Sequence, residues 1–230
     1  MNIALITAGG AGHRMGQDIP KQFINVNDKP IIIYTLEAFQ KHPNIDAIEV
    51  VCLEGWEMVL QAYCKQFKIT KLENIVCGGV NGQDSIRNGL EDISSRHSEN
   101  DLIIVHDGNR PLVSQEVISD CIRVAHKCRI AIAATGCNEA MLKTSDGLES
   151  SEQISRNNLM RTQTPHAAFL GDLIKAHKEA INKGITASVA TCTMYIELGK
   201  KVFFSLGSEK NFKITTPEDL EIFKALLNVR

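Results

Sequence analysis

A run of small residues and two basic residues near the start of the chain are of the types that bind phosphates. The run Thr7–Gly16 contains four glycines, and Lys21 follows it in the sequence Pro-Lys-Gln-Phe. Small residues let backbone N–H groups approach a phosphate chain closely, while Arg14 and Lys21 supply fixed positive charge. This spacing indicates a nucleotide site, although a tight strand-to-helix turn needs similar glycines. The backbone of the expected site is formed by Ala8, Gly9, Gly10 and Gly12.

Two common glycine-rich nucleotide motifs do not match this run. A Walker P-loop ends in Gly-Lys-Ser or Gly-Lys-Thr, and no such triplet closes the run. A dinucleotide fingerprint needs an acidic residue about 20 positions further on, at the end of the second strand. The sequence supports neither motif, so the nucleotide site must be of another kind.

One acidic residue stands at the end of an apolar run later in the chain. Leu102–Val105 is apolar and is followed by His106 and Asp107. Ligands of open α/β sheets bind at the carboxyl ends of the strands, and Mg²⁺ usually takes one or two carboxylates together with substrate phosphates. The setting His-Asp-x-x-Arg-Pro favours this role over that of a turn residue. We therefore expect Asp107 to bind Mg²⁺ beside a nucleotide.

Short apolar runs rich in Val and Ile predict strands that are buried on both faces. These runs are Ile3–Thr7, Ala47–Leu53, Leu102–Val105 and Ile130–Ala134. The segments with helical periodicity between and after them are Pro30–His42, Trp56–Phe67, Asp84–Ile93 and Gln115–Lys127. This alternation predicts an α/β fold with a single doubly wound, mostly parallel sheet, and 230 residues suffice for one domain, 1–230.

The polar segment Cys137–Gln163 interrupts this alternation. Within it, Asp146-Gly147 is a hairpin turn signal, which predicts a β-arm over 137–158 that projects from the sheet. Further on, Thr216 is a candidate N-cap and Pro217 the first residue of a final helix that extends through Leu227.

Composition argues against several classes of partner. A formal net charge of -2 offers no general attraction for nucleic acid. The first residues have neither the charged region of a signal peptide nor the length of a membrane span, so we expect no membrane contact and a cytoplasmic location. The seven scattered cysteines include no Cys-x-x-Cys pair, which favours reduced thiols over a zinc or redox site.

Taken together, the motifs resemble those of cytidylyltransferases that act on polyol phosphates. The matching motifs, in the family's order, are Ala8-Gly9-Gly10-x-Gly12-x-Arg14-Met15, Pro20-Lys21-Gln22-Phe23, Gly78-Gly79 with Asp84-Ser85-Ile86, His106-Asp107-x-x-Arg110-Pro111, Gln163-Thr164-Pro165 and Asn211-Phe212-Lys213-Ile214-Thr215. The resemblance extends over roughly positions 2 to 227. It implies a Rossmann-like nucleotidyltransferase fold, CTP and a polyol phosphate as substrates, Mg²⁺ as cofactor, and a homodimer.

The resemblance also implies roles for individual residues. The cations at the reacting phosphates, where charge develops in nucleotidyl transfer, are Arg14, Lys21 and Lys213. The residues on the nucleotide side are Gly79 and Ser85, which lie next to the cytosine, and Asp107. The residues that bind the acceptor are Arg110, Arg156, Thr164 and Lys213. In similar enzymes the arm crosses to the second subunit, which implies that Arg156 serves the acceptor site of that subunit.

Several positions depart from the family pattern. Gly82 stands where a basic residue is usual, and His166 stands where Gln is usual. Residues 187–193 replace an acidic Thr-Asp-Glu or Thr-Asp-Ala segment. These departures indicate that the acceptor pocket has changed more than the CTP pocket.

The acceptor and the function class have alternatives. Gly55-Trp56 and Lys213-Ile214-Thr215-Thr216 favour ribitol 5-phosphate or a related alditol phosphate for cell-surface polysaccharide, and 2-C-methyl-D-erythritol 4-phosphate of isoprenoid biosynthesis is the alternative. A non-catalytic CTP-binding regulatory protein is a rival of another class, supported by the altered 187–193 segment. A nucleotide-sugar pyrophosphorylase shares the glycine-rich run but lacks the His-Asp-x-x-Arg-Pro and Gln-Thr-Pro motifs found here.

Overall fold

The computed structural model describes residues 1–10 and 19–228. The strands are β1 (Asn2–Ala8), β2 (Asn25–Val26), β3 (Lys29–Pro30), β4 (Ala47–Cys52), β5 (Leu72–Cys77), β6 (Leu102–Asp107), β7 (Ile130–Gly136), β8 (Met141–Lys143), β9 (Glu152–Ile154), β10 (Met160–Phe169) and β11 (Phe204–Leu206). The helices are α1 (Ile31–Lys41), α2 (Glu57–Gln66), α3 (Gly82–Ser94), α4 (Gln115–Cys128), α5 (Leu170–Asn182), α6 (Thr191–Glu197) and α7 (Pro217–Leu227).

Seven of the described strands form a central sheet in the order β11-β7-β10-β6-β1-β4-β5. β10 runs antiparallel to β6 and to β7, and the other neighbouring strands pair in parallel. Strand order extends from β1 in both directions, which is the arrangement of a doubly wound fold. The predicted mostly parallel α/β sheet is confirmed, and the antiparallel strand β10 inside it was not predicted.

Helices cover both faces of the sheet, which accounts for the mostly apolar runs of its inner strands. Every residue of β4 is buried. One apolar cluster packs α1, α2 and α4 against one face, and a second packs α3, α5 and α6 against the other. Ligands therefore reach these strands at their ends rather than along their faces.

The carboxyl ends of β1 and β6 lie side by side where the winding of the sheet reverses. In their parallel register Thr7 pairs with Asp107, and the N–H of Gly108 donates to the carbonyl of Thr7 at 2.9 Å. This pairing brings the start of the glycine-rich run next to Asp107. Such switch points are the usual ligand sites of open α/β sheets.

The arm predicted over 137–158 contains a β-hairpin, because β8 and β9 pair in antiparallel fashion. Its turn includes Gly147, whose φ of +76° lies in the left-handed region that favours glycine. Asp146 stabilises the turn, since its Oδ1 accepts a hydrogen bond from the N–H of Leu148 at 2.9 Å. Leu142 and Leu148 are 62% and 89% exposed. The arm therefore presents uncovered apolar side chains in a single chain.

The final helix α7 begins as the sequence predicted. Thr216 Oγ1 accepts from the N–H of Asp219 at 3.3 Å, and Asp219 Oδ2 accepts from the N–H of Thr216 at 2.9 Å, with Pro217 as the first helical residue. Phe223 of α7 is buried in one apolar cluster with Ile214. This packing anchors the loop that precedes the helix.

Within the described residues, no helix combines the length and the apolar character that crossing a membrane requires.

Candidate active site

A cavity of about 720 Å³ opens at the carboxyl ends of β1 and β6. Its walls come from the glycine-rich run, the first turn of α3, the middle of β10 and the loop before α7. The residues singled out from the sequence that line it are Ala8, Gly9, Gly10, Lys21, Gly79, Ser85, Asp107, Arg110, Thr164 and Lys213. The fold thus collects residues from six sequence motifs around one cavity.

The other predicted site residues are Gly12, Arg14 and Arg156. Gly12 and Arg14 fall outside the described residues. Arg156 follows β9 and lies beside a separate cavity of about 460 Å³, where its Nη1 donates to the carbonyl of Asn138 at 2.7 Å. Within one chain, Arg156 does not line the central cavity.

The start of the glycine-rich run, residues 7–10, is held by Gln22, whose role was not predicted from the sequence. This side chain is only 2% exposed, and its Nε2 donates to the carbonyls of Ala8 and Gly10 at 2.8 and 3.1 Å. Lys21 directly precedes it in a short 3-10 turn. One turn therefore fixes the backbone at Ala8 and Gly10 and places a cation at the cavity. The Pro-Lys-Gln-Phe motif contained this signal, but nothing in it showed that the amide would be buried.

The first turn of α3 forms another wall of the cavity. Asn81 caps the helix, because its Oδ1 accepts from the N–H of Asp84 at 2.9 Å. Ser85 Oγ accepts from the N–H of Gly79 at 3.0 Å, so Ser85 fixes the loop as well as lining the cavity. The amino end of a helix carries partial positive charge and free N–H groups, which suit an anionic ligand.

Asp107 is the centre of an ionic cluster in the cavity. Its Oδ2 accepts from Arg110 Nε at 2.9 Å, and its Oδ1 accepts from Lys213 Nζ at 2.9 Å. The N–H of Asp107 donates to Thr164 Oγ1 at 3.1 Å. Burial by itself would raise the pKa of Asp107, but Lys213 and Arg110 hold that pKa well below its usual range. The carboxyl group is therefore ionised at neutral pH.

Asn211 joins the strand and the loop that supply this cluster. It is fully buried, and its Nδ2 donates to the carbonyl of Thr164 at 2.7 Å. The carbonyl of Asn211 accepts from Arg110 Nη1 at 2.7 Å. Asn211 belongs to the motif that predicted Lys213, yet the sequence did not reveal that it binds β10 and Arg110 at once.

The net charge of the cavity lining is positive. Among the described residues that line it, Lys21, Arg110 and Lys213 are basic and Asp107 is acidic. Burial lowers the pKa of His166 to about 4, so this histidine is neutral at pH 7. The lining therefore suits a polyanion such as a triphosphate.

A magnesium ion bound by the described residues alone would have to be held in part by its substrate. The described residues contain no group of three or more His, Cys, Asp or Glu side chains that could hold a metal. Mg²⁺ is commonly bound by one or two carboxylates with substrate phosphates completing its shell. The ionised carboxylate of Asp107 at the edge of the cavity fits this kind of site.

The whole chain matches a known enzyme family. The model of the 2-C-methyl-D-erythritol 4-phosphate cytidylyltransferase family (IspD) matches residues 2–229. The chain belongs to this cytidylyltransferase family. It is therefore an enzyme of the nucleotidyltransferase type, as its motifs predicted.

Two relatives within the cytidylyltransferase family carry different names. A ribitol-5-phosphate cytidylyltransferase of Lacticaseibacillus paracasei is 42% identical over 229 residues, which are 99% of this chain and 98% of that protein. A 2-C-methyl-D-erythritol 4-phosphate cytidylyltransferase of Clostridium acetobutylicum is 37% identical over 230 residues, 99% of this chain and 97% of that protein.

Solved structures of the cytidylyltransferase family share the fold along the whole chain. The 2-C-methyl-D-erythritol 4-phosphate cytidylyltransferase of Francisella tularensis has a TM-score of 0.79 at 27% identity and covers 97% of this chain and 98% of its own. The enzyme of that name from Thermus thermophilus has a TM-score of 0.78 at 25% identity, and the match covers 99% of this chain and 100% of that one.

Gly79→Ala is expected to weaken CTP binding by about tenfold or more, because the loop would have to shift to admit the new side chain. A Cβ at this position would clash with the Cβ of Asp84 and would lie 2.8 Å from its carbonyl carbon. Isothermal titration with CTP measures the effect. Gly136→Ala is the matched control, since a Cβ there meets no atom within 4 Å and Gly136 does not line the cavity. Equal CTP affinity in the two variants would contradict the expected role of Gly79.

Proposed function

We propose that this cytidylyltransferase transfers CMP from CTP to the phosphate of an alditol phosphate, releasing pyrophosphate. Ribitol 5-phosphate, or a related alditol phosphate used for cell-surface polysaccharide, is the proposed acceptor. The observation that carries the proposal is the cluster in which Lys213 and Arg110 flank the ionised Asp107 beside Lys21 and the glycine-rich run. The 42% identity to a protein named ribitol-5-phosphate cytidylyltransferase supports the choice of acceptor.

The proposed reaction is an in-line attack of an acceptor phosphate oxygen on the α-phosphate of CTP. A bond forms between that oxygen and the α-phosphorus while the bond from the α-phosphorus to the bridging oxygen breaks, and the electron pair leaves with pyrophosphate. A phosphate monoester is largely ionised at pH 7, so the nucleophile needs no dedicated base. Lys21 and Lys213 stabilise the charge that develops on the phosphates, and Arg110 and Thr164 keep Asp107 in place.

Mg²⁺ dependence is part of the proposal. Asp107 is the residue that would hold the ion together with the phosphates of CTP. When bound, the ion would neutralise negative charge on those phosphates.

The neutral character of one cavity wall favours an uncharged polyol chain. Val189, Ala190 and Thr191 line the cavity together with Thr162, in the region where an acidic segment is usual in the family. Hydroxyl groups and small apolar side chains can accommodate an alditol by hydrogen bonds and close contact. The 37% identity to the Clostridium acetobutylicum protein keeps 2-C-methyl-D-erythritol 4-phosphate as the second candidate.

A pyrophosphate-release screen tests the proposed reaction. CTP is combined with ribitol 5-phosphate, 2-C-methyl-D-erythritol 4-phosphate and glycerol 3-phosphate, and ATP, GTP and UTP replace CTP in parallel reactions. Among the nucleotides we expect pyrophosphate release with CTP, and among the acceptors we expect the highest kcat/KM with ribitol 5-phosphate. Faster turnover with 2-C-methyl-D-erythritol 4-phosphate would favour the second candidate. If none of the three acceptors supports pyrophosphate release, the proposed reaction is rejected.

We also propose that the enzyme is a homodimer in which the arm delivers Arg156 to the acceptor site of the second subunit. Arg156 lies away from the central cavity of its own chain, and the arm exposes Leu142 and Leu148. An isolated two-stranded hairpin is marginally stable in water, so it normally packs on something else. A closed twofold dimer is the commonest arrangement that supplies such a surface.

Co-expression of an Arg156→Ala chain with a Lys21→Ala chain tests this shared site. One of the two composite sites in a mixed dimer would contain both wild-type residues, so activity should recover to about half of the wild-type value per mixed dimer. Each variant expressed alone is the control. A monomer at micromolar concentration in sedimentation, or mixed dimers as inactive as their parents, would reject the shared site while leaving the cytidylyltransferase reaction intact.

A further inference from the structure

Two parts of the cavity wall that are distant in sequence are joined through one buried amide. Gln83, in the first turn of α3, is 6% exposed. Its Nε2 donates to the carbonyl of Ile185 at 2.7 Å, and its Oε1 accepts from the N–H of Ser188 at 2.8 Å. Residues 185–191, which lead into and begin α6, are called the wall segment below. Gln83 thus uses both ends of its amide to hold the wall segment against the amino end of α3.

A neighbouring side chain adds a third connection. Asn81 caps α3 with its Oδ1 and donates from Nδ2 to the carbonyl of Thr186 at 3.0 Å. Because Gln83 and Asn81 both belong to the turn that follows Gly79, the loop at the nucleotide side and the wall segment form one hydrogen-bonded unit. A buried amide that donates and accepts across a gap fixes the register of both partners, because a shift would leave polar groups unpaired.

The far end of the wall segment is attached to α6. Ser188 Oγ donates to Glu197 Oε2 at 2.9 Å. Thr193 Oγ1 accepts from the N–H of Ala190 at 3.0 Å and donates to its carbonyl at 2.8 Å. The segment is therefore held at Ile185, Ser188 and Ala190, and its last three residues, 189–191, line the cavity.

We propose that Gln83 is a positioning residue for the acceptor, acting through the wall segment. By fixing Ser188 and Ile185, it sets the distance between the nucleotide loop at Gly79 and the acceptor-side residues Val189 and Thr191. The wall segment carries no charged side chain, so it recognises the neutral carbon chain of a polyol rather than its phosphate. This inference rests on the proposed transfer of CMP to a polyol phosphate.

Gln83→Leu is the variant that tests the inference, because it keeps the approximate volume of the side chain and removes both hydrogen bonds. We expect KM for the polyol phosphate to rise by about tenfold, with kcat lowered less than threefold. The Kd for CTP, measured by titration without acceptor, should change by less than about twofold. Hydrogen exchange of the backbone N–H groups in residues 185–190 should become faster.

Gln40→Leu is the matched control. Gln40 also bridges two partners with one amide, since its Nε2 donates to Thr70 Oγ1 at 2.9 Å and its Oε1 accepts from the N–H of Lys71 at 2.9 Å. It does not line the cavity. We expect Gln40→Leu to leave KM for the acceptor and exchange in residues 185–190 unchanged.

A second variant keeps the test valid if Gln83→Leu folds poorly. Gln83→Glu keeps the acceptor for the N–H of Ser188 and removes only the donor to the carbonyl of Ile185, so acceptor KM should rise by a smaller factor, about threefold. An unchanged acceptor KM in both variants, or a loss of CTP affinity as large as the loss for the acceptor, would overturn the inference. Failure of the proposed function can be told apart from failure of this inference. In the first case, the wild-type enzyme would release no pyrophosphate with any polyol phosphate. Hydrogen exchange in residues 185–190 would still show whether Gln83 holds the wall segment.

Discussion

Lys213→Ala is expected to lower kcat by about 10²- to 10³-fold, the range for loss of one group that stabilises developing charge in an active site. Lys213 Nζ lies 2.9 Å from Asp107 Oδ1, and 42% of its side chain is exposed. The ammonium group can therefore meet both Asp107 and a phosphate in the cavity. Steady-state kinetics with CTP and acceptor both saturating measures the effect, because kcat then reports on stabilisation of the transition state rather than on binding.

Lys210→Ala is the matched control for Lys213→Ala. Lys210 is an exposed lysine in the same loop and does not line the cavity. We expect its replacement to leave kcat within about twofold of wild type, since charges at exposed positions contribute little. A Lys213→Ala enzyme that keeps its kcat and loses only substrate binding, through a higher KM, would show that Lys213 binds the ground state and does not act in the transition state.

Asp107→Asn is expected to lower Mg²⁺-dependent turnover by about 10²-fold or more, because the only acidic side chain among the described lining residues becomes neutral. The change is nearly isosteric, and the side-chain oxygen of Asn can still accept from Lys213 or Arg110, so the fold should persist. The net positive charge of the lining rises by one. Affinity for metal-free CTP should therefore be retained or increased while turnover falls, which is a combination that unfolding cannot produce.

Turnover of Asp107→Asn is measured across a Mg²⁺ titration, and CTP affinity is measured in EDTA. Asp172→Asn is the control, because Asp172 is a partly exposed carboxylate paired with Arg129 and lies outside the cavity lining. If Asp107→Asn has the wild-type kcat at saturating Mg²⁺, Asp107 is not a ligand of the metal. Weaker binding of metal-free CTP would indicate that Asp107 instead positions the two cations for the triphosphate.

The strands foreseen from the sequence are those whose runs are apolar or contain a single polar residue, as Ala47–Leu53 contains Glu49. The prediction of Ala47–Leu53 agrees with β4 to within one residue, because a strand buried on both faces leaves a signal in its own residues. β5 was missed because it lies at the edge of the sheet and contains Glu73 and Asn74, so its pattern is partly polar.

β10 was missed for a different reason. It contains Pro165 within a polar stretch, and proline within a run argues against an inner strand. The register of β10 against β7 shifts between Thr162 and His166. This irregularity lets an inner strand accommodate the proline and turns Gln163 and Thr164 towards the site. A bulge depends on the neighbouring strand, so the sequence of β10 alone could not indicate it.

The sequence by itself determined which residue types occupy the site. The glycine-rich run, Lys21 and Asp107 at a strand end were predicted from their own local chemistry, and Lys213 was predicted from the family resemblance. The tertiary structure alone decided which of them touch. Lys213 meets Asp107 across 106 residues of chain, and Gln83 meets Ile185 across 102. The periodicity of a sequence indicates which residues of an element are buried. Contacts between residues far apart in sequence depend instead on the order of the strands and the paths of the loops, and no local sequence pattern indicates these.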